Sequence, residues 1–497
     1  LRTISSLLGV SPNRSPSTSG SILDEPFFHL GRATGRFSER RHLGAATQGD
    51  DLWLSLRDAA QGVICVGSPG EGKTSGLVGR LTLQALQHAT IPGIFCPDIK
   101  GDFATTFERL AQLGGRSTTR IGIGPGAKGF NAIGTLSPSA VGAVISRYMS
   151  RGASGGDNAF FVNSSAQLLE ASLALLKAQP DKYTLAEARR IPILADKRDD
   201  AIAAAKAEVQ RVDDLLAAGM SVSPADMARR DEMAFGLSYF AEDFKGLQAD
   251  KETYGNILSQ LSTALSPFSR PQIERAFCDA STGALDLSSL YDGAAVVVTC
   301  ATTEFPSVME IVMTLLKEQF FALIRARSEM AKDDPRAQRP VVFLCDEYQA
   351  IASPRDAEFF ALSRSQRLIP VVSMQQFESL SRIMSEADAT LLIGNMSQKI
   401  GFTVGTPKTI AIFTDLLGEA EYVETTTTKG VSQHATHILP QISSSAADSN
   451  RTHKVVDGQM FRSLTNNYRT MQLEAIALLR VGGKAKDDII QIDGLTV

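Results

Sequence analysis

The sequence Gly67-Ser68-Pro69-Gly70-Glu71-Gly72-Lys73-Thr74-Ser75 constrains the fold more than any other stretch of the chain. It contains the pattern G-x-x-x-x-G-K-T, follows the apolar run 63–66 and precedes a helical pattern at residues 75–88. The glycines let backbone N–H groups surround phosphates, and the helix N-terminus adds a favourable dipole. Lys73 is expected to reach the β- and γ-phosphates, and Thr74 to ligate Mg²⁺. We therefore predict that residues 67–75 bind ATP with Mg²⁺. The alternative is a glycine-rich turn that binds nothing.

Two carboxylates close a second apolar run. Residues 341–345 are all apolar and lead directly into Asp346 and Glu347. In an α/β fold, the carboxyl end of such a buried strand faces the bound ligand. Asp346 is expected to hold Mg²⁺ through water, and Glu347 to polarise the attacking water. Because many strands end in acidic turn residues, this pattern becomes informative only beside the P-loop motif. The adjacent glutamate then favours a hydrolysing motor ATPase over a switch GTPase.

A glutamine follows the next apolar run. Gln375 comes directly after residues 369–374, which are expected to form the strand beside the acidic one. Its amide is suited to hydrogen-bond the γ-phosphate and so to detect hydrolysis. A solvent-exposed glutamine at a strand end is the alternative.

Short apolar runs alternate with helical patterns over most of the chain. The runs cover residues 61–66, 91–97, 294–300, 341–345, 369–374 and 399–404. This alternation is typical of an α/β fold with a mostly parallel central sheet. Residues 137–285 contain amphipathic helical patterns and few strand signals, and they predict an inserted all-α domain. The polar, Thr/Ser-rich residues 424–450 predict a long surface loop or hairpin.

These patterns divide the chain into four predicted segments. We expect an N-terminal lead-in and linker over residues 1–60 and the inserted helical domain over 137–285. The nucleotide-binding domain is expected to take residues 61–136 as its first part and 286–497 as its second.

The composition excludes several classes of protein. With 43% hydrophobic residues among 497, the chain can form a sizeable core and is not disordered. Its formal net charge of −4 excludes a generally basic nucleic-acid binder, although a local basic patch can still contact phosphates. Five scattered cysteines without a C-x-x-C pair are expected to be buried reduced thiols.

The order of several short motifs resembles that of the TraG/TraD-type coupling proteins of conjugative type IV secretion systems. These are membrane-anchored ATPases related to RecA-like DNA pumps such as FtsK. The residues Asp98-Ile99-Lys100-Gly101-Asp102 resemble the D-P-K-G-E block of that family, with Ile for Pro and Asp for Glu. The resemblance runs over most of residues 60–410, with a weaker C-terminal part. Its other blocks match Phe130-Asn131, residues 261–268, residues 363–380, and Ile393-Gly394-Asn395 with Lys399-Ile400.

The resemblance implies a role for each residue that matches a family motif. Arg364 matches an arginine that acts in trans on the nucleotide of the neighbouring subunit, where it would stabilise transition-state charge. Arg367 is the nearby alternative, and either arginine could instead be an exposed helix residue. Asp98 and Lys100 match a block near the P-loop for which a supporting role is implied. The residues that match the ATPase motifs are Lys73, Thr74, Asp346, Glu347 and Gln375.

The resemblance also implies a RecA-like P-loop nucleotide-binding domain and a homohexameric, DNA-stimulated ATPase that couples its cargo to a secretion channel. The implied cargo is a relaxase bound to single-stranded DNA, held without sequence preference. Other implied partners are the channel components, including other ATPases. One alternative is a receptor that mainly recruits protein effectors, with secondary ATPase activity. Another is a chromosome or packaging DNA translocase. The inserted helical domain and the block at Asn395 favour a coupling protein over such a translocase.

The resemblance places such a protein at the cytoplasmic face of the inner membrane. An anchor upstream of Leu1 is therefore expected, and the 497 residues themselves are expected to be soluble in the cytoplasm.

Overall fold

A computed structural model of the chain describes residues 21–124, 126–150, 156–281, 285–299, 305–432, 441–467 and 469–495. These residues form two compact units. Unit 1 comprises the described residues of 1–88, 354–361 and 369–497. Unit 2 comprises the described residues of 89–353 and 362–368.

Strands and helices alternate along most of the chain. The strands are β1 (Pro26–Ala33), β2 (Asp51–Ser55), β3 (Val63–Val66), β4 (Gly93–Asp98), β5 (Thr119–Gly122), β6 (Ala295–Thr299), β7 (Val341–Cys345), β8 (Leu368–Met374), β9 (Gln398–Gly401), β10 (Glu419–Ser432), β11 (Gln441–Lys454), β12 (Asn466–Asn467), β13 (Gln472–Leu478), β14 (Arg480–Val481), β15 (Lys484–Ala485) and β16 (Asp488–Asp493). The helices are α1 (Arg36–Glu39), α2 (Leu56–Ala59), α3 (Gly79–Gln87), α4 (Phe103–Leu113), α5 (Pro138–Ser150), α6 (Gly156–Leu176), α7 (Leu185–Ile193), α8 (Ala195–Ala217), α9 (Pro224–Ala241), α10 (Asp243–Ala249), α11 (Lys251–Leu265), α12 (Pro271–Phe277), α13 (Pro306–Ala326), α14 (Pro335–Gln338), α15 (Asp356–Ser363), α16 (Glu386–Asn395), α17 (Pro407–Leu417) and α18 (Gly458–Ser463).

The sheet of unit 1 has a parallel part and an antiparallel part. Its strand order is β2-β1-β16-β13-β9-β3-β8, with β12 paired to β13. β3 pairs in parallel with β8 and with β9, as the apolar runs predicted. β13 then pairs antiparallel with β9, and β16, β1 and β2 continue the antiparallel part. The P-loop strand therefore lies between two parallel neighbours.

Residues 26–55 correct the prediction of a lead-in and linker. β1 and β2 pair with each other, and β1 also pairs with β16 from the far end of the chain. On β1, the main chain of His29 exchanges hydrogen bonds with the side chain of Gln84 on α3, at 2.6 and 3.0 Å. The guanidinium of Arg80, also on α3, donates to Nδ1 of His29. These contacts fix the segment to α3 of unit 1. Residues 1–20 lie outside the described part.

The sheet of unit 2 is parallel where it is described. Its strand order is β7-β4-β6-β5, and each of these pairings is parallel. Every residue of β4, β6 and β7 is buried, which explains why their sequences are continuous apolar runs rather than alternating ones. Phe320 of α13 stacks on Phe95 of β4 and Phe343 of β7, with ring centroids 4.8 and 5.3 Å apart. α13 therefore covers one face of this sheet.

The helices α5–α12 of unit 2 occupy the region where the sequence predicts an inserted all-α domain. The chain enters and leaves them side by side: Asn131 and Cys278 form an antiparallel bridge, and the N–H of Ala132 donates to the carbonyl of Phe277 at 2.9 Å. α6 packs against α5, α7, α8, α9 and α11, and α5 also packs against α13. Independence of these helices as a domain stays a prediction.

Three smaller expectations can be compared with the structure. β10 and β11 form a two-stranded hairpin, as the polar segment 424–450 predicted. Cys65, Cys96, Cys278 and Cys345 are buried and form no disulfide within the described residues, and Cys300 lies outside those residues. Among the described helices, the stretch Ala159–Leu176 of α6 is long and apolar enough to cross a membrane, and 61% of it is buried within the protein. That burial is typical of a core helix.

Candidate functional site

The side chains that the sequence predicts to act on nucleotide lie in both units. Unit 1 contains the P-loop and Gln375. Unit 2 contains the acidic pair, the 98–102 block and Arg364.

The P-loop follows β3 and bends through two glycines. Gly70 and Gly72 both have φ of +82°, in the left-handed region that glycine adopts without steric cost. Lys73 begins the following helical turn and is only 6% exposed. Its ammonium donates to the carbonyls of Gly67 at 2.5 Å and Ser68 at 3.0 Å. The loop therefore curls around a positive charge at a helix N-terminus, whose dipole favours an anion.

The first turn after the loop differs from the predicted α-helix. Lys73–Val78 is π-helical, and the regular α-helix α3 begins only at Gly79. Gly76 lies within this wide turn, and a Cβ at that position would collide with the Leu473 side chain. The absence of a side chain at Gly76 thus lets β13 approach the turn closely. Single π-helical turns are frequent at functional sites.

Residues from the C-terminal part pack against the P-loop. A Cβ at Gly67 would lie 2.8 Å from Cβ of Phe402, and one at Gly72 would lie 2.8 Å from Cδ1 of Leu473. The amide of Asn466 donates to Glu71 at 3.1 Å. Sequence reasoning missed these contacts, because nothing in the local patterns around residues 466 and 473 links them to the loop.

Gln375 lies at the same edge of the sheet as the P-loop. Val66 of β3 is in register with Met374 of β8, and Gly67 and Gln375 directly follow these two residues. Because carboxyl ends of parallel strands meet at one edge, the half-buried Gln375 side chain starts beside the loop that would hold phosphates. Its predicted role toward the γ-phosphate stays a prediction.

In unit 2, Asp346 and Glu347 follow β7, and β4 is the parallel neighbour of β7. Glu347 has φ 54° and ψ 39°, a left-handed conformation that is uncommon for a residue other than glycine. Its N–H donates to Oδ1 of Asp346 at 3.0 Å, and the residue is only 7% exposed. Such sparsely populated backbone conformations concentrate at functional sites.

Both carboxylate oxygens of Glu347 have a donor. Nζ of Lys100 lies 2.5 Å from Oε1, and Nε2 of Gln349 donates to Oε2 at 2.5 Å. Burial lowers the pKa of Lys100, but the hydrogen bond and the charge of Glu347 outweigh it, so that the pKa lies above its ordinary value. The block that contains Lys100 is thereby connected directly to the predicted catalytic carboxylate.

Asp98 organises the turn that carries Lys100. Its carboxylate accepts hydrogen bonds from the N–H groups of Gly101 at 2.9 Å, Phe103 at 3.0 Å and Ala104 at 2.8 Å. Burial raises the pKa of Asp98, although these hydrogen bonds act in the opposite direction. The aspartate therefore closes the turn and satisfies the first N–H groups of α4.

Arg364 is exposed in a 3-10 turn, Arg364–Gln366. The buried guanidinium of Arg327 holds this turn by donating to the carbonyl of Gln366 at 2.7 Å. Burial lowers the pKa of Arg327 to about 10. Arg367, the alternative arginine, has φ 55° and donates to the side chain of Gln338 within unit 2. Arg364 is thus the more exposed of the two.

A metal would have to be held mainly by water and phosphate. Within the described residues, no group of three or more His, Cys, Asp and Glu side chains converges as a metal site. Mg²⁺ at nucleotide sites keeps several waters and takes only one or two protein ligands. Thr74 in unit 1 and Asp346 in unit 2 each provide an oxygen donor of the kind that Mg²⁺ takes, and their joint role toward the metal stays a prediction.

Residues 340–466 match the family model described as the TraM recognition site of TraD and TraG. The plasmid coupling protein TrwB in complex with the ATP analogue ADPNP is 13% identical, with a TM-score of 0.54 over 95% of each chain. TrwB with ADP and Mg²⁺ is 13% identical, with a TM-score of 0.51 over 96% of this chain and 95% of that one. VirB4 of Thermoanaerobacter pseudethanolicus is 13% identical, with a TM-score of 0.50 over 96% of this chain and 99% of that one. No curated protein sequence matches. These likenesses confirm the predicted α/β, RecA-like fold.

Proposed function

We propose that this chain is a TraG/TraD-type coupling protein that uses ATP hydrolysis to move cargo toward a type IV secretion channel, and the family match over residues 340–466 and the shared fold support this proposal. The proposed cargo is a relaxase bound to single-stranded DNA, or a protein effector. The single observation that carries the ATPase proposal is the P-loop: Lys73 lies buried against the carbonyls of Gly67 and Ser68 at the carboxyl end of β3.

The nucleotide would be held by the P-loop. The structures of TrwB with ADPNP and with ADP and Mg²⁺ support nucleotide and Mg²⁺ as the ligands. Backbone N–H groups of the P-loop would surround the phosphates, and Lys73 would neutralise charge on the β- and γ-phosphates. Thr74 and Asp346 would hold Mg²⁺, which when bound offsets the negative charge that develops during phosphoryl transfer.

Hydrolysis requires three further side chains. Glu347 would accept the proton of the attacking water, and Gln375 would hydrogen-bond the γ-phosphate from the end of β8. Arg364, exposed on its 3-10 turn, would act on the nucleotide of a neighbouring subunit in a homohexamer. An arginine supplied in trans makes turnover depend on assembly.

We propose that the chain binds both the DNA and the protein of its cargo. Single-stranded DNA would be held through its phosphates, without sequence preference and with a strong dependence on salt. The family match over residues 340–466 supports partners in the conjugation machinery. Relaxase or effector proteins would be received by helices α5–α12, at the cytoplasmic face of the inner membrane, where channel components and other ATPases assemble.

The test is steady-state ATP hydrolysis by the purified protein, with and without a mixed-sequence single-stranded oligonucleotide. We expect the oligonucleotide to stimulate turnover and salt to reduce this stimulation. Lys73→Ala should reduce turnover to background, because the lost ammonium would have neutralised phosphate charge in the transition state. Lys408→Ala, which changes an exposed lysine at the start of α17 in the same unit, is the matched control and should leave turnover unchanged.

The other outcomes discriminate between functions. Stimulation by a protein effector but not by DNA would favour the receptor that mainly recruits effectors. Wild-type turnover by Lys73→Ala would refute the assignment of the P-loop.

A further inference from the structure

Leu473 of β13 lies against the two glycines that flank Lys73 and Thr74 in the chain. A Cβ at Gly72 would lie 2.8 Å from Cδ1 of Leu473, and a Cβ at Gly76 would collide with the same atom. Leu473 is 1% exposed, so its side chain fills the space beside both glycines. One leucine therefore contacts the P-loop on both sides of the residues that are predicted to bind phosphate and Mg²⁺.

The end of β16 contacts the same turn through the main chain. The N–H of Leu495 donates to the carbonyl of Ser75 at 3.0 Å, within the π-helical stretch Lys73–Val78. The N–H of Gly494 donates to the carbonyl of Met471 at 2.7 Å, which ties the end of β16 to the start of β13. The C-terminal strands thus reach the first turn after the P-loop with both a side chain and a backbone donor.

A buried carboxylate fixes the hairpin β12–β13, which carries Leu473. Glu474 is 6% exposed, and it accepts a hydrogen bond from the N–H of Thr465 at 3.0 Å. Its own N–H donates to the carbonyl of Thr465 at 2.8 Å. The guanidinium of Arg36 donates to its other carboxylate oxygen at 2.8 Å. Because breaking a buried ion pair is strongly unfavourable, the hairpin holds Leu473 in a fixed place against the loop.

We propose that Leu473 is a positioning residue that holds the P-loop in the shape in which its backbone N–H groups bind phosphate. The inference rests on the proposed ATPase function and deepens it, since it gives the C-terminal strands a part in nucleotide affinity. The N–H groups of the loop contact the phosphates both before and during hydrolysis. Loosening the loop should therefore raise KM for ATP and leave kcat nearly unchanged. If Leu473 only stabilises the sheet, neither constant should change in the folded protein.

The first test adds a methyl group at the contact and then removes the side chain opposite. Gly76→Ala should weaken the binding of ADP with Mg²⁺ about tenfold, because its Cβ collides with Leu473 and the overpacked loop has to shift. Leu473→Ala frees that space, so the double variant should bind more tightly than Gly76→Ala alone. Isothermal titration calorimetry on the full chain measures each affinity.

The matched control for the added methyl group is Gly458→Ala in α18 of the same unit. Its Cβ would meet Cδ1 of Ile410 at 3.7 Å, an ordinary contact, so this variant should bind like wild type. Wild-type affinity of Gly76→Ala would overturn the proposal. A double variant that binds no more tightly than Gly76→Ala would overturn it as well.

The second test separates positioning of the loop from general stability. Leu473→Ala should raise KM for ATP about three- to tenfold and change kcat by less than about twofold. Leu473→Met, which keeps nearly the same volume, should lie close to wild type. Leu54→Ala removes a fully buried leucine from β2 at the far edge of the sheet, and it should lower the melting temperature without changing KM. Equal KM values for the Leu54→Ala and Leu473→Ala variants would overturn the positioning role.

The outcomes also separate this inference from the proposed function. A wild-type chain that binds neither ADP nor ATP would refute the proposed function, and the inference with it. A wild-type chain that binds nucleotide no better than Leu473→Ala does would refute the inference alone. If Leu473→Ala does not fold, the affinity of Gly76→Ala beside that of Gly458→Ala still decides whether the contact controls nucleotide binding.

Discussion

Replacing Asp98 with alanine should destabilise unit 2 by about 3 kcal/mol. The carboxylate is 4% exposed and accepts hydrogen bonds from three backbone N–H groups. A hydrogen bond to a charged group contributes roughly 1.5–3 kcal/mol, and a buried donor left unpaired costs about 1–3 kcal/mol. The loss should be smaller than the sum of these values over the three hydrogen bonds. Burial also penalises the ionised carboxylate, as the raised pKa of Asp98 indicates. A net loss of about one kcal/mol per donor remains.

The assay is urea unfolding followed by circular dichroism, since the helices of unit 2 dominate that signal. Asp98→Ala should lower the urea midpoint with little change in slope. Asp98→Asn should lie between it and wild type, because the amide keeps one neutral acceptor.

A matched control lies four residues away. Asp102 is exposed at the N-terminus of α4 and makes no capping hydrogen bond with its side chain, so Asp102→Ala should change the free energy of unfolding by less than about 0.5 kcal/mol. Equal midpoints for the Asp98 and Asp102 variants would refute the view that Asp98 holds the turn.

Two further predictions concern stability and domain structure. Burial and the charge of Arg80 lower the pKa of His29 from 6.5 to about 4, although Asp51 acts in the opposite direction. The folded state therefore excludes a proton that the unfolded state binds, and stability should be full above pH 6.5 and fall by up to about 3 kcal/mol as the pH drops to about 4. His29→Gln should reduce this dependence, and part of it should remain because burial also lowers the pKa of His88. An unchanged pH slope in the unfolding midpoint would contradict the prediction. Replacing residues 137–285 with a Gly/Ser linker should leave ATP binding measurable and weaken recruitment of relaxase or effector. An insoluble product, or one that does not bind nucleotide, would show that these helices are structural core.

The parallel part of the sheet could be predicted because each of its strands can be recognised from its own residues. β3, β4, β6, β7 and β8 are short, wholly buried runs, and each shows this in its own composition. The same applies to the P-loop, since its glycines and lysine are needed for the shape of the loop itself.

The antiparallel part could not be predicted in the same way. β1 is buried because it pairs with β16, which lies more than four hundred residues away in the chain. Leu473 lies against Gly76 of the π-helical turn, and no local pattern encodes this contact. The contact between Lys100 and Glu347 required knowledge that β4 and β7 are neighbours, which only the fold provides.

The central claim is that Glu347 activates water for a nucleotide held by the P-loop. Glu347→Gln keeps the size of the side chain but removes its capacity to accept a proton, so the variant should bind ATP with unchanged affinity. Its turnover should be about 100-fold lower than that of wild type, the lower end of what a general base contributes. The decisive measurement is ATP affinity and turnover of the purified Glu347→Gln variant beside wild type. Unchanged affinity with turnover lost is the predicted result, and turnover at the wild-type rate would contradict the account.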